Sequence, residues 1–242
     1  MSDPTRTSQS TRHATGPAGA AARTPAAAVA PRIRRPRAAA FRVLLSVAAL
    51  TGPFLAAAGA TAPAALLARF PVQAHLAAAL VFAGSAHRAW TGRRAVSPRL
   101  TGALLPFLFL PAVLHYAFPA ADSTAFALPH ATAPTVPQAL AHQLLYAVIP
   151  LAALADWLLL TAPRGFRAAC AWQWPAYPLL YLAFALAFPA TAGAPPPGAA
   201  LALTIGLAGC LLPLIVIGID QVRPAPRLRG NRISPKGIGP LK

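Results

Sequence analysis

Apolar stretches of about twenty residues recur along most of this chain, and their recurrence restricts it to folds whose main solvent is a lipid bilayer. They run from Ala38 to Ala60, Phe70 to Trp90, Leu100 to Pro119, Gln138 to Thr161, Cys170 to Ala190 and Ala199 to Val222. At about 1.5 Å rise per residue, a helix over any of them crosses a hydrocarbon core of about 30 Å. Charged residues are only 10% of the sequence, against roughly 25% in soluble domains, so the chain lacks the polar surface to face water on every side. The expected fold class is all-α: a polytopic membrane protein, residues 38–222, built as a bundle of six transmembrane helices. Residues 1–37 are rich in Ala, Pro, Thr, Ser and Arg without apolar periodicity, which predicts a disordered, low-complexity basic tail. Residues 223–242 form a second basic tail.

The formal net charge of +17 would suit a nucleic-acid binder if the cations shared one face of a folded domain. They do not. Of 21 Lys and Arg, all but Arg69 fall in the two tails, near the start of the first stretch (Arg42), or in the second and fourth connections (Arg88, Arg93, Arg94, Arg99, Arg164 and Arg167). Basic residues near span ends stay on the cytoplasmic side, so the pattern predicts both termini cytoplasmic in a multi-pass protein of a bacterial cytoplasmic membrane. The expected partners are membrane lipids, with anionic headgroups at the basic tails, and no nucleic acid. Oligomeric state is not set by the sequence. An alternative treats Arg34 to Ala64 as a cleaved signal, with a basic stretch, an apolar core and the small-residue run Ala56 to Ala62.

Inside the stretches, the density of Ala, with Gly206 and Gly209 in the last, suits closely approaching backbones. Pro53, Pro106, Pro111, Pro150, Pro175, Pro178 and Pro213 should kink helices and free carbonyls. The connection Ala120 to Pro137 has no regular pattern and is expected to be an irregular surface loop able to cover the outer mouth of the bundle. Cys170 and Cys210 differ in depth by about 15 Å at 1.5 Å per residue, so both are expected as free thiols.

Four histidines share the outer layer of this topology: His75, His115, His130 and His142, with Gln73, Tyr116, Asp122, Gln143 and Tyr146 nearby. Ionisable groups at this depth are costly and point to function. The readings are a catalytic or ligand-binding set, a metal set of His75, His115 and His142, or interfacial residues; no pair has the i, i+4 spacing of a helical metal motif. At the inner face, Asp156 and Asp220 end their spans close to Arg164, Arg167 and Arg223, predicting ion pairs or helix-end anchors. Trp157, Trp172 and Trp174 there fit an aromatic belt. Cofactor-binding signatures such as a Walker loop or GxGxxG are absent, and no cofactor is expected.

The segment "ALAHQLLYAVIPLAALADWLLL" (Ala139 to Leu160), a short basic turn and "WPAYPLLYLAFAL" (Trp174 to Leu186) resemble bacterial six-helix membrane proteins related to the androgen-induced family of fatty-acid ester hydrolases. The resemblance covers Phe70 to about Arg223 and is specific over Pro150 to Leu182. It implies a six-helix fold and intramembrane hydrolysis of lipid esters by a threonine nucleophile and a histidine. The threonine position, after an aromatic residue at the start of the second span, is Pro71 here; the histidine position, ten residues before Asp156, is Tyr146. His142 lies one turn earlier on the same helix face, displaced by about 6 Å. The family's signature after the fifth span is replaced by "FPATAGAPPPGAAL" (Phe188 to Leu201).

Nucleophilic catalysis requires a hydroxyl or thiol within reach of a base, so three functional expectations follow. The first is a catalytically degenerate, lipid-binding member of that fold. The second is an active membrane-embedded ester hydrolase rebuilt around His75, His115 or His142, with Thr204 as a nucleophile. The third is a small transporter component.

Overall fold

The computed structural model describes residues 34–58, 60, 62–129 and 134–224; most of both tails, and His130, lie outside the described residues. Helices occupy every expected stretch, and no strand occurs among the described residues. In chain order they are α1 (Pro36–Ala58), α2 (Pro63–Leu66), α3 (Phe70–Thr91), α4 (Pro98–Ala117), α5 (Val136–Gln143), α6 (Ile149–Leu160), α7 (Cys170–Ala187), α8 (Pro189–Ala192) and α9 (Ala199–Val222). A 3₁₀ turn, Pro119–Ser123, follows α4, and a π-helical segment, Leu144–Val148, joins α5 to α6.

Among the described residues, four helices are long and apolar enough to cross a membrane: α1, α4, the continuous α5–α6 rod Val136–Leu160, and α9. Large apolar side chains such as Leu44, Phe54, Leu159, Leu203 and Val222 lie exposed on them. Together these features mark a membrane-embedded protein, because water penalises broad apolar surfaces that lipid accepts. Helices α3 and α7 occupy the remaining two expected stretches but fall short of that apolarity. Helix α3 relies on alanine and carries Gln73, His75 and His87, whereas α7 opens on a Trp-rich, Pro-containing run.

Local chemistry accounts for the ends and for one irregularity. Proline stands in the first turn of α2, α3, α4, α5 and α8, where its missing N–H costs nothing. Gly92, at φ +66°, takes the left-handed conformation that stops α3, its N–H returning to the Arg88 carbonyl. The π segment precedes Pro150, whose ring would clash with the carbonyl four residues back, that of Tyr146. The wider turn relieves this clash and leaves Tyr146 within the segment.

The long helices alternate in direction, so the bundle has two ends. The chain ends (Arg34 and Pro224) share the tail end with the α3–α4 and α6–α7 connections. The loop end carries the α1–α3, α4–α5 and α7–α9 connections. Helices α1 and α3 run together along their length through Ala49, Ala74, Ala78 and Ala79, all buried, and Ser46 Oγ donates to the Ala79 carbonyl at 2.8 Å. Helix α4 packs against α3, α6, α7 and α9 and forms the centre through Leu104, Leu105, Leu108 and Leu110.

The closest backbone approaches are not where the last stretch suggested. A Cβ added at Gly206 or Gly209 would meet only ordinary contacts at 3.8 Å, but at Gly52 it would come within 2.1 Å of Leu145 Cδ1. At Gly102 it would come within 2.5 Å of Phe166. At Gly102 a side chain would collide with the Phe166 and Trp174 rings, whereas at Gly52 it would meet the end of a Leu side chain that can turn aside.

Candidate functional site

The connection expected on the surface divides: its stretch from Thr124 to Leu128 lies inside the loop end of the bundle, while residues 134–137 are exposed. After the 3₁₀ turn, Thr124, Ala125, Phe126, Ala127 and Leu128 are all buried. The Phe126 ring packs edge-on to Tyr181 at 5.0 Å between centroids and lies 5.0 Å from Phe70. Residues 124–128 thus plug the space among the start of α3, α7 and the π segment.

Irregular backbone at such a position survives only if its polar groups find partners in the protein. The partners are specific. The Phe70 N–H donates to the Ala125 carbonyl at 3.0 Å, and the Tyr181 hydroxyl donates to it at 3.3 Å and also to the Ala68 carbonyl. The Leu128 N–H donates to the Tyr146 hydroxyl oxygen at 2.7 Å. Thr124 Oγ1 accepts from the Phe126 N–H at 3.2 Å.

The largest contribution comes from Arg69, at the start of α3 and 8% exposed. Its guanidinium donates to the carbonyls of Thr124 (2.8 Å) and Ala127 (3.3 Å) and to the carbonyl of Gly193, beyond α8. Burial lowers its pKa from the usual arginine value; carbonyl dipoles take the place of water around the cation. Arg69 was the single cation on the wrong side of the charge partition. That anomaly was the available sequence signal for a residue the candidate set omitted; Phe126 and Tyr181 left none, since apolar and aromatic residues are common throughout the stretches.

Two of the candidate histidines come together beside this plug. His115, ending α4, stacks on Tyr146 with centroids 4.4 Å apart and planes 15° apart. Its Nδ1 is 2.9 Å from Asp122 Oδ1 in the 3₁₀ turn, and its ring lies 5.8 Å from that of His142. His75 is placed differently. It is fully buried in the first turns of α3, with Nδ1 2.7 Å from the Pro71 carbonyl oxygen and Nε2 without a hydrogen-bond partner. Among the described residues, no three His, Cys, Asp or Glu side chains gather as a metal site. Thr204 Oγ1 donates to the Ala200 carbonyl of its own helix at 2.9 Å.

At the tail end one carboxylate pairs with an expected neighbour, Asp220 with Arg223, and the other, Asp156, does not. Asp156 takes a two-point contact from Arg42 on α1, Nε to Oδ1 at 2.8 Å and Nη2 to Oδ2 at 3.2 Å. Asp220, fully buried, accepts the Phe166 N–H at 3.0 Å and lies 3.4 Å from Arg223 Nη1. Arg223 also donates to the Leu158 and Thr161 carbonyls and lies over the Trp157 ring, 4.8 Å from its centroid. Of the three indoles assigned to the belt, Trp172 alone has an outward position, at 76% exposed. Trp157 and Trp174 are buried around Phe166, so these two indoles are interior packing. Cys170 and Cys210 are free thiols.

Comparison with known proteins found no matching family model, no matching curated protein and no matching solved structure.

Proposed function

We propose that this chain is a six-span protein of a bacterial cytoplasmic membrane, with both termini cytoplasmic, related in fold to the six-helix lipid-ester hydrolases. In this reading it binds lipid without turning it over. One observation carries the loss of catalysis: the groups at both inherited catalytic positions serve the framework. Pro71 stands in the first turn of α3 and its carbonyl meets His75, while the Tyr146 hydroxyl accepts the Leu128 N–H of the plug. A tyrosine oxygen fixed as an acceptor is no general base, and proline has no nucleophilic atom to offer.

Two spans, α3 and α7, are more polar than the rest, and their packing supports including them. His75 in α3 and Tyr181 in α7 are buried against neighbours, and the more exposed Tyr177 donates to Gln73 across the two helices. Membrane helices tolerate polar side chains that find such partners.

The test has three arms on the purified full chain. A fluorophosphonate hydrolase probe should leave it unlabelled; labelling that His142→Ala abolishes would restore the active-hydrolase reading. Native mass spectrometry after gentle extraction should show retained phospholipid, and a protein free of lipid would refute the binding role. A reporter active only outside the cytoplasm, fused after Lys242, should be silent; strong activity would overturn the topology.

A further inference from the structure

Helices α1 and α3 leave an open groove on their outer surface at the tail end, lined by Ala40, Val43, Leu44, Val47, Ala83 and Trp90, among others. It measures about 640 Å³, within the range of sites for one small ligand. From Ala39 to Val47 it follows α1 for about 12 Å at 1.5 Å per residue, near the roughly 15 Å depth of one leaflet's hydrocarbon. Its length and apolar lining therefore match part of one acyl chain lying along the helix pair.

Cations cluster at the mouth of this groove. The Arg35 N–H donates to the Ala89 carbonyl at 3.0 Å, which ties the first residues of α1 to the last turn of α3. Arg34, Arg35 and Arg37 are thereby brought to the same end as Arg88, and all four are exposed. Arg37 lies on the groove's own stripe of α1, since 37, 40, 44 and 47 follow i, i+3, i+7, i+10 spacing. The described acidic residues are engaged elsewhere: Asp122 with His115, Asp156 with Arg42 and Asp220 with Arg223. No described carboxylate neutralises the arginines at the mouth.

We propose that this groove is a binding site for one anionic phospholipid, its acyl chain against Val43, Leu44 and Val47 and its phosphate among Arg34, Arg37 and Arg88. The site deepens the lipid-binding reading above and rests on it, and it differs from diffuse attraction of headgroups to the tails. An acyl groove alone would not select by headgroup; apolar lining together with uncompensated guanidinium groups selects for negative charge.

The test is native mass spectrometry of the full chain with phosphatidylglycerol and, separately, phosphatidylcholine. The unaltered protein should retain phosphatidylglycerol preferentially, each arginine contributing about fivefold. The triple variant Arg34→Gln, Arg37→Gln, Arg88→Gln should lose the preference while keeping its unfolding temperature, because these side chains are exposed. Ala83→Trp, which fills the groove from its lipid side, should reduce retention of both lipids. Neutralising Arg227, Arg229 and Arg232 in the carboxyl tail should leave the preference intact. The proposal is overturned if the triple variant keeps the preference, if the tail variant alone abolishes it, or if Ala83→Trp changes neither lipid. Lipid that stays bound through the triple and Ala83→Trp variants would refute this site but not the lipid-binding reading; an unaltered protein that holds no lipid would refute both.

Discussion

At the tail end of the bundle two arginines meet carboxylates, Arg42 on Asp156 and Arg223 on Asp220, whereas at the loop end Arg69 meets three backbone carbonyls and no described acid. Arg42 joins α1 to α6, whereas the Arg223–Asp220 pair lies at the end of α9 and reaches α6 and the α6–α7 connection through the Leu158 and Thr161 carbonyls and the Phe166 N–H. The second joins a helix to irregular chain, whose carbonyls, like those of a helix's last turn, are free to accept. With four acidic residues in the whole sequence, a buried cation often has to be balanced by the backbone. The loop end therefore depends on a fold that brings Thr124, Ala127 and Gly193 around one guanidinium. The tail end depends on one pair that needs two helices in register and one formed within the end of α9.

Substitutions at each end separate these two modes, and thermal unfolding in detergent ranks them. Phe126→Ala should have the largest effect, destabilising by about 4 kcal/mol through the cavity it leaves among Phe70 and Tyr181. Arg69→Met should follow at about 3 kcal/mol, since three carbonyls lose their donor, and limited proteolysis should then cut within 119–129. Resistance to cleavage there would show that the plug holds without its clamp. Asp156→Ala should cost about 2 kcal/mol, less than a fully buried pair because Arg42 is partly exposed. Losing Arg42 in exchange, as Arg42→Met with Asp156→Leu, should recover most of that loss; an Arg69→Met loss should have no such second-site remedy in any acid. Gly102→Ala should cost about 1.5 kcal/mol by overpacking against Phe166 and Trp174. Gly206→Ala should stay within about 0.5 kcal/mol, and a larger effect would mean that α9 packs more tightly than its 3.8 Å contacts indicate.

Much of the helix layout was legible in the chain because apolar stretches are local. The stretch Ala199 to Val222 coincides with α9, and Phe70 to Trp90 ends one residue before α3 does. The site was less legible. His115 and His142 were recognisable as a layer, and they do meet over Tyr146. His75 was grouped with them by depth alone, but a helix position fixes height and not which neighbour a ring faces. Trp174 and Trp172 stand two residues apart, and such neighbours point to different sides of a helix; one is buried and the other exposed. The partner of Asp156 was sought among arginines close in sequence. It lies 114 residues away, on a helix whose adjacency only the packing reveals.

The sequence by itself determined that this is a chain of apolar helices with its cations grouped in the tails and in alternate connections, because span length and charge distribution are properties of the chain alone. Only the tertiary structure decided that a proline-bordered connection folds inward, that Arg69 holds it by carbonyls, and that a π turn brings Tyr146 to the plug. Those outcomes depend on which buried backbone groups lack partners once the helices have packed, a condition that exists only in the assembled bundle.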